Sequence, residues 1–430
     1  MNTIQNKPFR AGLLGEHLSH SFSPQIHAAL AGDRYSYELF ERAPEGVEAF
    51  IKGDEWDALN VTIPYKQTVM PYLDVISDEA ARIGAVNTVT RLSDGRLKGD
   101  NTDYFGFART LAACGCDPKG KKALVLGNGG AAATAVAVLR DLGADVILLA
   151  RNQKAVGGVS PEPYETVYER HPDAAVIVNC TPVGMFPRLV GQSPVELSRL
   201  PHVTAVFDMI YNPARTALLQ DAAELGIPAC NGLLMLVAQA KVAAELFLGE
   251  DLPDGVIGSI VTSITHQTQN IILIGMPGSG KSTVGKALAE RLDRPFYDTA
   301  AMIVESEKRS IPAIFKDEGE DVFRLLESRA VRDAGMISGG VIATGGGVVT
   351  QERNYRPLSR NGKIVFIERD LARLPVGGRP ISQANPVEEL YAKRLPLYKA
   401  FADVTIENNG SVDETVEAIL SALGYNAGKR

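Results

Sequence analysis

The sequence predicts an α/β protein built from parallel sheets with helices on both faces. Short apolar strands alternate with helical segments along almost the whole chain, as in ALVLG (123–127), AAATAVAVLRDLG and DVILLA (145–150). This alternation is typical of parallel sheets. Two glycine-rich turns, at Gly127 and Gly275, each follow an apolar strand and precede a helix. Each turn needs a sheet of its own, so at least two nucleotide-binding domains are expected.

Length and composition bound the class of protein. At roughly 100–200 residues per domain, 430 residues suggest two to four domains. Hydrophobic content of 45% and charged content of 22% are ordinary for a globular protein and exclude disordered and fibrous classes. A net charge of −7 argues against a general nucleic-acid binder. No apolar run approaches the ~20 residues that span a bilayer, so no membrane partner is expected.

The cysteines and the N-terminus favour a cytoplasmic protein. Cys114, Cys116, Cys180 and Cys230 show no metal-site spacing and no disulfide framework, so reduced thiols are expected. The N-terminal MNTIQNKPFR lacks the apolar core of a signal peptide. The polar ITHQTQN (264–270) is the predicted linker, and a second domain boundary is predicted near residue 104.

The first glycine loop, GNGGAA (127–132), fits the dinucleotide pattern G-x-G-x-x-A. Gly127 allows the tight turn, Gly129 lets the backbone approach a pyrophosphate, and Ala132 allows close contact between helix and strand. The context predicts a Rossmann domain. The next strand ends in ILLARNQK (147–154), where Arg151 and Lys154 replace the acid of an NAD site. The sequence therefore favours NADP(H), although a solvated strand end stays an alternative.

Four polar clusters precede this loop: HSFSP (20–24), NVTIPYK (60–66), GAVNT (84–88) and GDNTD (99–103). Their hydroxyls, amides and charges suit a ligand with several hydroxyl groups and a carboxylate. Lys66 and Asp103 are candidates for a proton donor and its orienting partner. Each cluster alone is more often a plain turn than a site.

Together with NCTPVGM (179–185), DMIYNP (208–213) and GLLMLVAQA (232–240), these clusters resemble shikimate dehydrogenase in the family's order over residues 1–265. The resemblance implies a substrate domain at 1–104 with about 235–265, and an NADP-binding Rossmann domain at 105–234. It makes Lys66 and Asp103 the catalytic pair. It implies shikimate binding by Ser21, Ser23, Asn60, Thr62, Lys66, Asn87, Asp103, Tyr211 and Gln239. It implies NADP binding by Gly127, Asn128, Gly129, Gly130, Ala131, Arg151, Thr181, Met209 and Gly232.

The second glycine loop, GMPGSGKS (275–282), fits the phosphate-binding pattern G-x-x-x-x-G-K-[ST] between a strand and a helix. It predicts a P-loop NTPase-like α/β domain over 271–430, of a size that suits a small-molecule kinase. The residues predicted to bind ATP are Gly278, Ser279, Gly280, Lys281, Ser282 and Thr283, with Ser282 also on Mg²⁺.

The rest of this segment resembles shikimate kinase through SIPAIFKDEGEDVFRLLE (310–327), ATGGG (343–347), GRPI (378–381) and KRLPLY (393–398). The resemblance implies a metal-side role for Asp298 and contact of Arg379, on a lid, with the transferring phosphoryl group. It implies shikimate binding by Asp298, Arg324, Gly346, Gly347 and Arg394.

The stretch DTAAM (298–302) departs from the kinase family, which has a second aspartate where this chain has Ala300. The family's usual glutamate is also absent, since Val304 stands there beside Glu305. Three alternatives follow: activity is retained but reduced, Glu305 replaces the carboxylate, or the kinase half has lost its chemistry and serves for binding or structure.

The two resemblances imply consecutive reactions: NADPH-dependent reduction of 3-dehydroshikimate to shikimate, then ATP- and Mg²⁺-dependent 3-phosphorylation. An NAD-dependent quinate/shikimate dehydrogenase and a metabolite-sensing regulator are the rival hypotheses. One further departure, Ala150 in place of the family's frequent asparagine before Arg151, weakens the prediction of NADP. The expected partners are the small substrates, and the sequence leaves the oligomeric state open.

Overall fold

The computed structural model describes residues 9–18, 21–374 and 387–425. The chain forms two compact units, one of residues 1–211 and 216–262, the other of residues 212–215 and 263–430. Two six-stranded sheets belong to the first unit and one five-stranded sheet to the second. The predicted α/β class, with a separate sheet for each glycine loop, is confirmed.

The elements of the first unit follow one another closely along the chain. Its strands are Arg10–Gly15 (β1), Ser36–Glu41 (β2), Ala58–Val61 (β3), Val75–Ile76 (β4), Thr88–Arg91 (β5), Leu97–Asp100 (β6), Lys122–Leu126 (β7), Asp145–Leu149 (β8), Pro161–Glu162 (β9), Val176–Asn179 (β10), Ala205–Asp208 (β11) and Ala229–Cys230 (β12). Its helices are Ser23–Ala31 (α1), Val47–Lys52 (α2), Asp78–Ile83 (α3), Asp103–Ala113 (α4), Gly130–Asp141 (α5), Val167–Arg170 (α6), Ala217–Glu224 (α7) and Leu233–Leu248 (α8).

The first sheet has the order β2-β1-β3-β5-β6-β4 and is mixed. Strand β1 is parallel to β2 and β3, whereas β5 is antiparallel to both β3 and β6. Its core contains the fully buried Trp56, whose indole N–H donates to the Phe50 carbonyl at 3.0 Å. Strands β3, β5 and β6 bring the polar clusters at 60, 87 and 100–103 to one region, although these lie far apart in the sequence.

The second sheet is entirely parallel, in the order β12-β11-β10-β7-β8-β9. When strands β7 to β12 are numbered 1 to 6 along the chain, their order across the sheet is 6-5-4-1-2-3. This is the Rossmann arrangement. Strand β7 is apolar and buried from Ala123 to Leu126 because helices cover both faces, and each such side chain contributes roughly 1.5–3 kcal/mol. The strand order reverses between β7 and β10, so a ligand crevice is expected beside the turns that follow these two strands.

The elements of the second unit alternate regularly. Helix Gly255–Thr268 (α9) leads into it. Its strands are Asn270–Ile274 (β13), Phe296–Asp298 (β14), Val341–Ala343 (β15), Gly362–Glu368 (β16) and Val404–Glu407 (β17). Its helices are Lys281–Leu292 (α10), Thr299–Glu307 (α11), Ile311–Ala334 (α12), Tyr355–Asn361 (α13), Val387–Phe401 (α14) and Val412–Ala422 (α15). The sheet is parallel, in the order β14-β15-β13-β16-β17.

Local signals explain several helix boundaries in this unit. The Ser310 side chain accepts from the Ala313 amide at the start of α12, and Ser411 with Glu414 forms a capping box before α15. Gly319 interrupts α12 with φ 83° and ψ 179°, a backbone conformation that glycine adopts without a Cβ penalty. The two halves of α12 therefore meet at a kink.

The segment predicted as a linker, 264–270, is largely regular in the structure. Helix α9 continues to Thr268, and β13 begins at Asn270. Polar composition indicated a connection, but the apolar positions Ile257, Ile260 and Ile264 keep the segment helical because they recur on one buried face. Among the helices in the described ranges, none has the length and apolar character needed to cross a bilayer.

The expectation of four reduced thiols is wrong for two of them. Cys114, at the end of α4, and Cys230, in β12, form a disulfide across a sequence separation of 116, while Cys116 and Cys180 are free. The spacing of the cysteines along the sequence could not indicate this disulfide, because the two residues meet only through the packing of α4 beside the Rossmann sheet.

Candidate active sites

The first candidate site centres on an ion pair between Lys66 and Asp103. Lys66 Nζ donates to Asp103 Oδ2 at 2.5 Å, and the side chains are 20% and 10% exposed. Lys66 lies in the turn that follows β3, and Asp103 is the first residue of α4. Both side chains reach the solvent edge while packed enough to hold a fixed direction, as a proton donor and its orienting partner require.

Amide side chains form a connected network beside this pair. The Asn87 Nδ2 donates to Thr102 Oγ1 at 3.0 Å and to Gln239 Oε1 at 3.3 Å, and Asn87 Oδ1 accepts from the Thr102 backbone amide at 2.7 Å. Tyr37 Oη donates to Asn60 Oδ1 at 2.8 Å. Thr102 and Tyr37 were not among the predicted residues. Thr102 could have been found, because it lies inside the GDNTD cluster directly before α4.

The two predicted serines lie together in the described part of the HSFSP cluster. Ser21 Oγ donates to Ser23 Oγ at 3.1 Å. Phe22 between them contacts the Tyr211 ring, with centroids 5.8 Å apart, so the cluster lies next to Tyr211. Burial raises the pKa of the Tyr211 phenol, which therefore stays a neutral hydrogen-bonding group. Thr62 is half-buried and packs near Gly15.

The dinucleotide loop adjoins the ion pair. A Cβ on Gly130 would lie 3.9 Å from Lys66 Cδ, and one on Gly127 would lie 2.9 Å from Thr181 Cγ2. Gly127 has φ 96°, and helix α5 begins at Gly130 with Gly129 as its N-cap. Gly129 has open space where a side chain would stand, and Ala131 and the buried Ala132 follow in the first turn of α5. A pyrophosphate fits this helix N-terminus, because Gly129 leaves open space there.

The loop after β8 is held by Asn128. Its Nδ2 donates to Asn152 Oδ1 at 2.6 Å and to the Lys154 carbonyl at 2.9 Å. Arg151 is exposed at the start of this loop. On the other side of the crevice, Gly232 lies so close to the Met209 carbonyl that a Cβ would collide with it.

The second candidate site is the phosphate loop after β13. Gly278 and Gly280 have φ of 86° and 95°, and Lys281 Nζ donates to the carbonyls of Gly275 and Met276 at 2.9 Å each. The buried Ser279 and the exposed Thr283 flank this lysine in sequence.

Asn408, at the end of β17, supports the loop, because its Nδ2 donates to the Ser279 carbonyl at 2.7 Å. Sequence reasoning missed Asn408, since nothing in its neighbourhood suggests a contact with a loop 129 residues away.

Asp298 has both carboxylate oxygens engaged. Oδ2 accepts from Ser282 Oγ at 2.8 Å, and Oδ1 accepts from the Ala300 amide at 2.9 Å, which caps helix α11. Among the described residues, no group of three or more His, Cys, Asp or Glu side chains is arranged so that it could hold a metal ion by itself. The Ser282 and Asp298 pair still suits Mg²⁺, which is commonly held by one or two protein groups, phosphate oxygens and water.

Two arginines lie at the glycine turn 345–347 that follows β15. Arg324 donates through NH1 to Glu327 Oε2 at 2.7 Å and through NH2 to Glu320 Oε1 at 2.9 Å. Arg394 NH1 donates to the Gly346 carbonyl at 3.2 Å. Burial raises the pKa of Glu327, and the positive charge of Arg324 opposes that shift.

Gly347 lies against the Arg324 guanidinium with no space for a side chain. Gly346 is close to Pro277, whose Cδ would be 2.6 Å from an added Cβ. Thr299 Oγ1 accepts from the Gly345 amide at 3.2 Å, which joins this turn to the start of α11. Of the predicted kinase residues, Arg379 lies outside the described ranges.

The first unit is therefore a Rossmann-type protein with a lysine–aspartate pair beside its dinucleotide loop, and the second is a P-loop NTPase-like domain. The family model "Shikimate dehydrogenase substrate binding domain" matches residues 13–89, and "Shikimate kinase" matches residues 277–424. The chain belongs to the shikimate dehydrogenase family and carries a shikimate kinase domain at its C-terminal end, which confirms both predicted resemblances.

Individual relatives support the assignment of the first unit. The shikimate dehydrogenase (NADP(+)) of Clostridium beijerinckii is 41% identical over 248 residues, which is 55% of this chain and 90% of that protein. Crystal structures of shikimate dehydrogenase 1 from Peptoclostridium difficile and of the Thermus thermophilus enzyme with NADP(H) and shikimate are 37% and 33% identical. They cover 60% and 59% of this chain and 97% and 99% of their own, with TM-scores of 0.55 and 0.54.

If the second site acts on shikimate as the family resemblance implies, replacing Arg324 with lysine is expected to raise the KM for shikimate about tenfold. Lysine keeps the charge and can still pair with Glu327, but it lacks the planar fork that matches a carboxylate. Initial rates against shikimate at saturating ATP measure the effect. Arg309→Lys is the matched control, because Arg309 pairs with Asp317 and Glu318 on the exposed side of the same helix. An equal change in both variants would contradict a substrate role for Arg324.

Proposed function

We propose that the chain is a bifunctional enzyme that reduces 3-dehydroshikimate to shikimate with NADPH and then phosphorylates shikimate at its 3-hydroxyl with ATP. The observation that carries the first activity is the Lys66–Asp103 ion pair at 2.5 Å, with Lys66 beside Gly130 of the dinucleotide loop. This arrangement brings a proton donor next to the place where a nicotinamide would transfer hydride. Family membership supports the same reaction.

In the reductase, NADPH supplies the hydride, and the protein supplies binding and the proton. Lys66 Nζ, directed by Asp103, donates to the ring carbonyl oxygen as negative charge develops there. The Asn87, Thr102 and Gln239 network presents amide and hydroxyl groups to the ring hydroxyls. Ser21 and Ser23 are suited to the substrate carboxylate, because each hydroxyl can turn to donate.

The remaining substrate contacts follow from the same geometry. Asn60, joined to Tyr37 by the 2.8 Å hydrogen bond, is proposed to contact a substrate hydroxyl. Thr62 and the neutral phenol of Tyr211 complete the polar surface around the ring. Thr181, Met209 and Gly232 border the cofactor on the side opposite Arg151.

In the kinase, the loop amides and Lys281 would hold the phosphates, and Ser282 with Asp298 would hold Mg²⁺, which would neutralise phosphate charge there. Arg324 and Arg394 neutralise the shikimate carboxylate. Gly346 and Gly347 are proposed to offer backbone groups to the ring hydroxyls, and both positions need glycine because side chains there would collide with Pro277 and Arg324. Arg379 is proposed for the transferring phosphoryl group on the family resemblance alone.

Glu305 is a poor substitute for the carboxylate missing at Ala300. Five residues along a helix correspond to about 140° of rotation and about 7.5 Å of rise. Glu305 lines a cleft between α11 and α12 together with Met302 and Arg329, away from the first turn of α11. We therefore propose a kinase that works slowly, since positioning and charge stabilisation support phosphoryl transfer without a base but at a reduced rate.

The alternative is an active dehydrogenase fused to a kinase domain that only binds. A coupled assay with 3-dehydroshikimate, NADPH, ATP and Mg²⁺, following shikimate and its 3-phosphate separately, decides between the two. Accumulation of shikimate without formation of shikimate 3-phosphate would contradict the bifunctional proposal. Absence of NADPH oxidation would contradict the proposed reductase activity. Shikimate binding without turnover at either site would support the hypothesis of a metabolite-sensing regulator.

Arg151→Ala is expected to raise the KM for NADPH about tenfold and to leave the kinetics with NADH unchanged. An exposed guanidinium after β8 suits the 2′-phosphate, which NADH lacks. Steady-state rates with both cofactors measure the effect and also test the NAD-dependent quinate/shikimate rival. Arg170→Ala is the control, because this exposed arginine pairs with Glu162 instead. A native preference for NAD would contradict the prediction.

A further inference from the structure

A buried carboxylate, Asp208, stands at the carboxyl end of β11 and has no part in the reaction proposed above. Asp208 is 2% exposed. Oδ1 accepts from Asn179 Nδ2 and from the Ile210 amide at 3.0 Å each, and Oδ2 accepts from Thr216 Oγ1 at 2.6 Å. Burying an ionised group is costly unless hydrogen bonds compensate it, and three donors converge here.

The first consequence of this carboxylate is the orientation of Asn179. The two residues are directly opposite each other in adjacent parallel strands. An ionised carboxylate only accepts, so the Asn179 NH₂ group must face Asp208 and its carbonyl oxygen must face away. That oxygen accepts from both the backbone amide and the Oγ1 of Thr181, at 3.0 and 2.7 Å.

The second consequence is the path of the chain after β11. The Ile210 amide is tied to Asp208, and the Met209 amide donates to the Asn179 carbonyl at 2.9 Å. The Gly232 amide in turn donates to the Ile210 carbonyl at 3.1 Å. One carboxylate therefore fixes the segments that carry Thr181 and Met209.

Both segments border the dinucleotide crevice. Thr181 Cγ2 would be 2.9 Å from a Cβ on Gly127, so it packs against the first glycine of the loop. Met209 lies where the strand order brings β11 next to β10, one strand from the reversal point. A shift of either segment changes the shape of the crevice without touching the Lys66–Asp103 pair.

We propose that Asp208 is a positioning residue of the cofactor site, which holds Thr181 and Met209 in place through Asn179 and the Ile210 amide without itself touching cofactor or substrate. The proposal rests on the NADPH-dependent reduction proposed above. It adds a residue that determines cofactor affinity and leaves substrate affinity alone.

Ionisation of Asp208 links this network to pH. Burial raises the pKa of Asp208 to about 6, against the hydrogen bonds from Thr216, Ile210 and Asn179 that lower it. The titratable group facing it in the described structure is the Cys180 thiol, whose own pKa is raised by burial and then by the charge of Asp208. As pH falls through about 6, Asp208 gains a proton and loses acceptor capacity, so NADPH should bind more weakly.

Protonation of Asp208 is expected to have opposite effects on the two properties: it stabilises the folded protein and weakens NADPH binding. The pKa of Asp208 is higher in the folded protein than in the unfolded chain, so this group favours folding at low pH, and that contribution is lost as pH rises through about 6. Asp208→Asn removes a buried charge and keeps the size. Asn also turns an NH₂ group toward a site where three donors converge, so the Tm of the variant at pH 7.5 serves to show that it is folded.

The test compares the native chain with Asp208→Asn and with a control variant, Asp145→Asn. Asp145 is exposed and begins β8, at the opposite end of the strands from Asp208. The Kd for NADPH is measured by fluorescence titration from pH 5 to 8.5, and the KM for 3-dehydroshikimate and kcat by initial rates. For Asp208→Asn we expect an NADPH Kd about tenfold higher at pH 7.5, a 3-dehydroshikimate KM within about twofold, and no pH dependence near 6.

Unchanged NADPH affinity, or equal losses for both substrates with a lower Tm, would overturn the proposal. A pH dependence that persists in Asp208→Asn would overturn it as well. Failure of the proposed function is a different result, because the native chain itself would then neither bind NADPH nor oxidise it with 3-dehydroshikimate.

Discussion

Replacing Lys66 with methionine is expected to lower the kcat for 3-dehydroshikimate reduction by about 10²–10⁴-fold, the range typical for loss of a positioned proton donor. Methionine keeps the length and apolar contacts of the lysine stem but can neither donate a proton nor pair with Asp103. NADPH oxidation at 340 nm measures the rate, and the ATP-dependent reaction of the same preparation should be unaffected.

Lys98→Met supplies the matched control. Lys98 also pairs with an aspartate of the first sheet, with Nζ 3.1 Å from Asp100 Oδ1, but its side chain is more exposed. We expect its kcat to stay within about twofold of the native value. A native rate in Lys66→Met, or an equal loss in Lys98→Met, would show that the pair between Lys66 and Asp103 serves only the fold.

Replacing Ala300 with aspartate is expected to raise the kcat for shikimate phosphorylation by about 10²–10⁴-fold. Ala300 is in the first turn of α11, where its amide donates to Asp298 Oδ1. A carboxylate is favourable at this end of a helix because the exposed amides carry positive charge. There it can hold the attacking hydroxyl and accept its proton. Shikimate-dependent ADP formation measures the change.

Ala301→Asp is the control for the charge itself, because Ala301 is the exposed next residue on the same turn. That variant should stay within about twofold of the native rate. A native chain with no turnover, restored by Ala300→Asp, would establish loss of kinase chemistry. Equal native and Ala300→Asp rates would mean that another group of this chain already performs the task.

The architecture could be predicted because its signals are local. Apolar strands and the two glycine loops act over a few residues, so the positions of β7, β13 and their following helices can be read from neighbouring residues. The Lys66–Asp103 pair was predicted from the family resemblance and from their chemistry, and the structure brings the two side chains together.

The residues that support the two sites could not be predicted, because their contacts are not between neighbouring residues in the sequence. Asn408 and the Ser279 carbonyl, Cys114 and Cys230, and Asp208 and Thr216 meet only after strands and helices pack. An asparagine at a strand end or a cysteine at a helix end has many possible partners. The helical conformation of residues 264–268 could not be read from composition either, because tertiary packing of three isoleucines outweighed the polar residues around Thr265 and Gln267.

The presence of two units in one chain has a metabolic consequence. A cell that makes separate enzymes can correct a slow step by synthesising more of the slow one. Here translation yields the reductase and the kinase domain in a ratio of one to one, so their relative capacities depend only on their turnover numbers. On the proposed function, a kinase slowed by the lack of a carboxylate at position 300 limits flux through the pair, and substitutions within residues 271–430 are the direct way to raise its capacity.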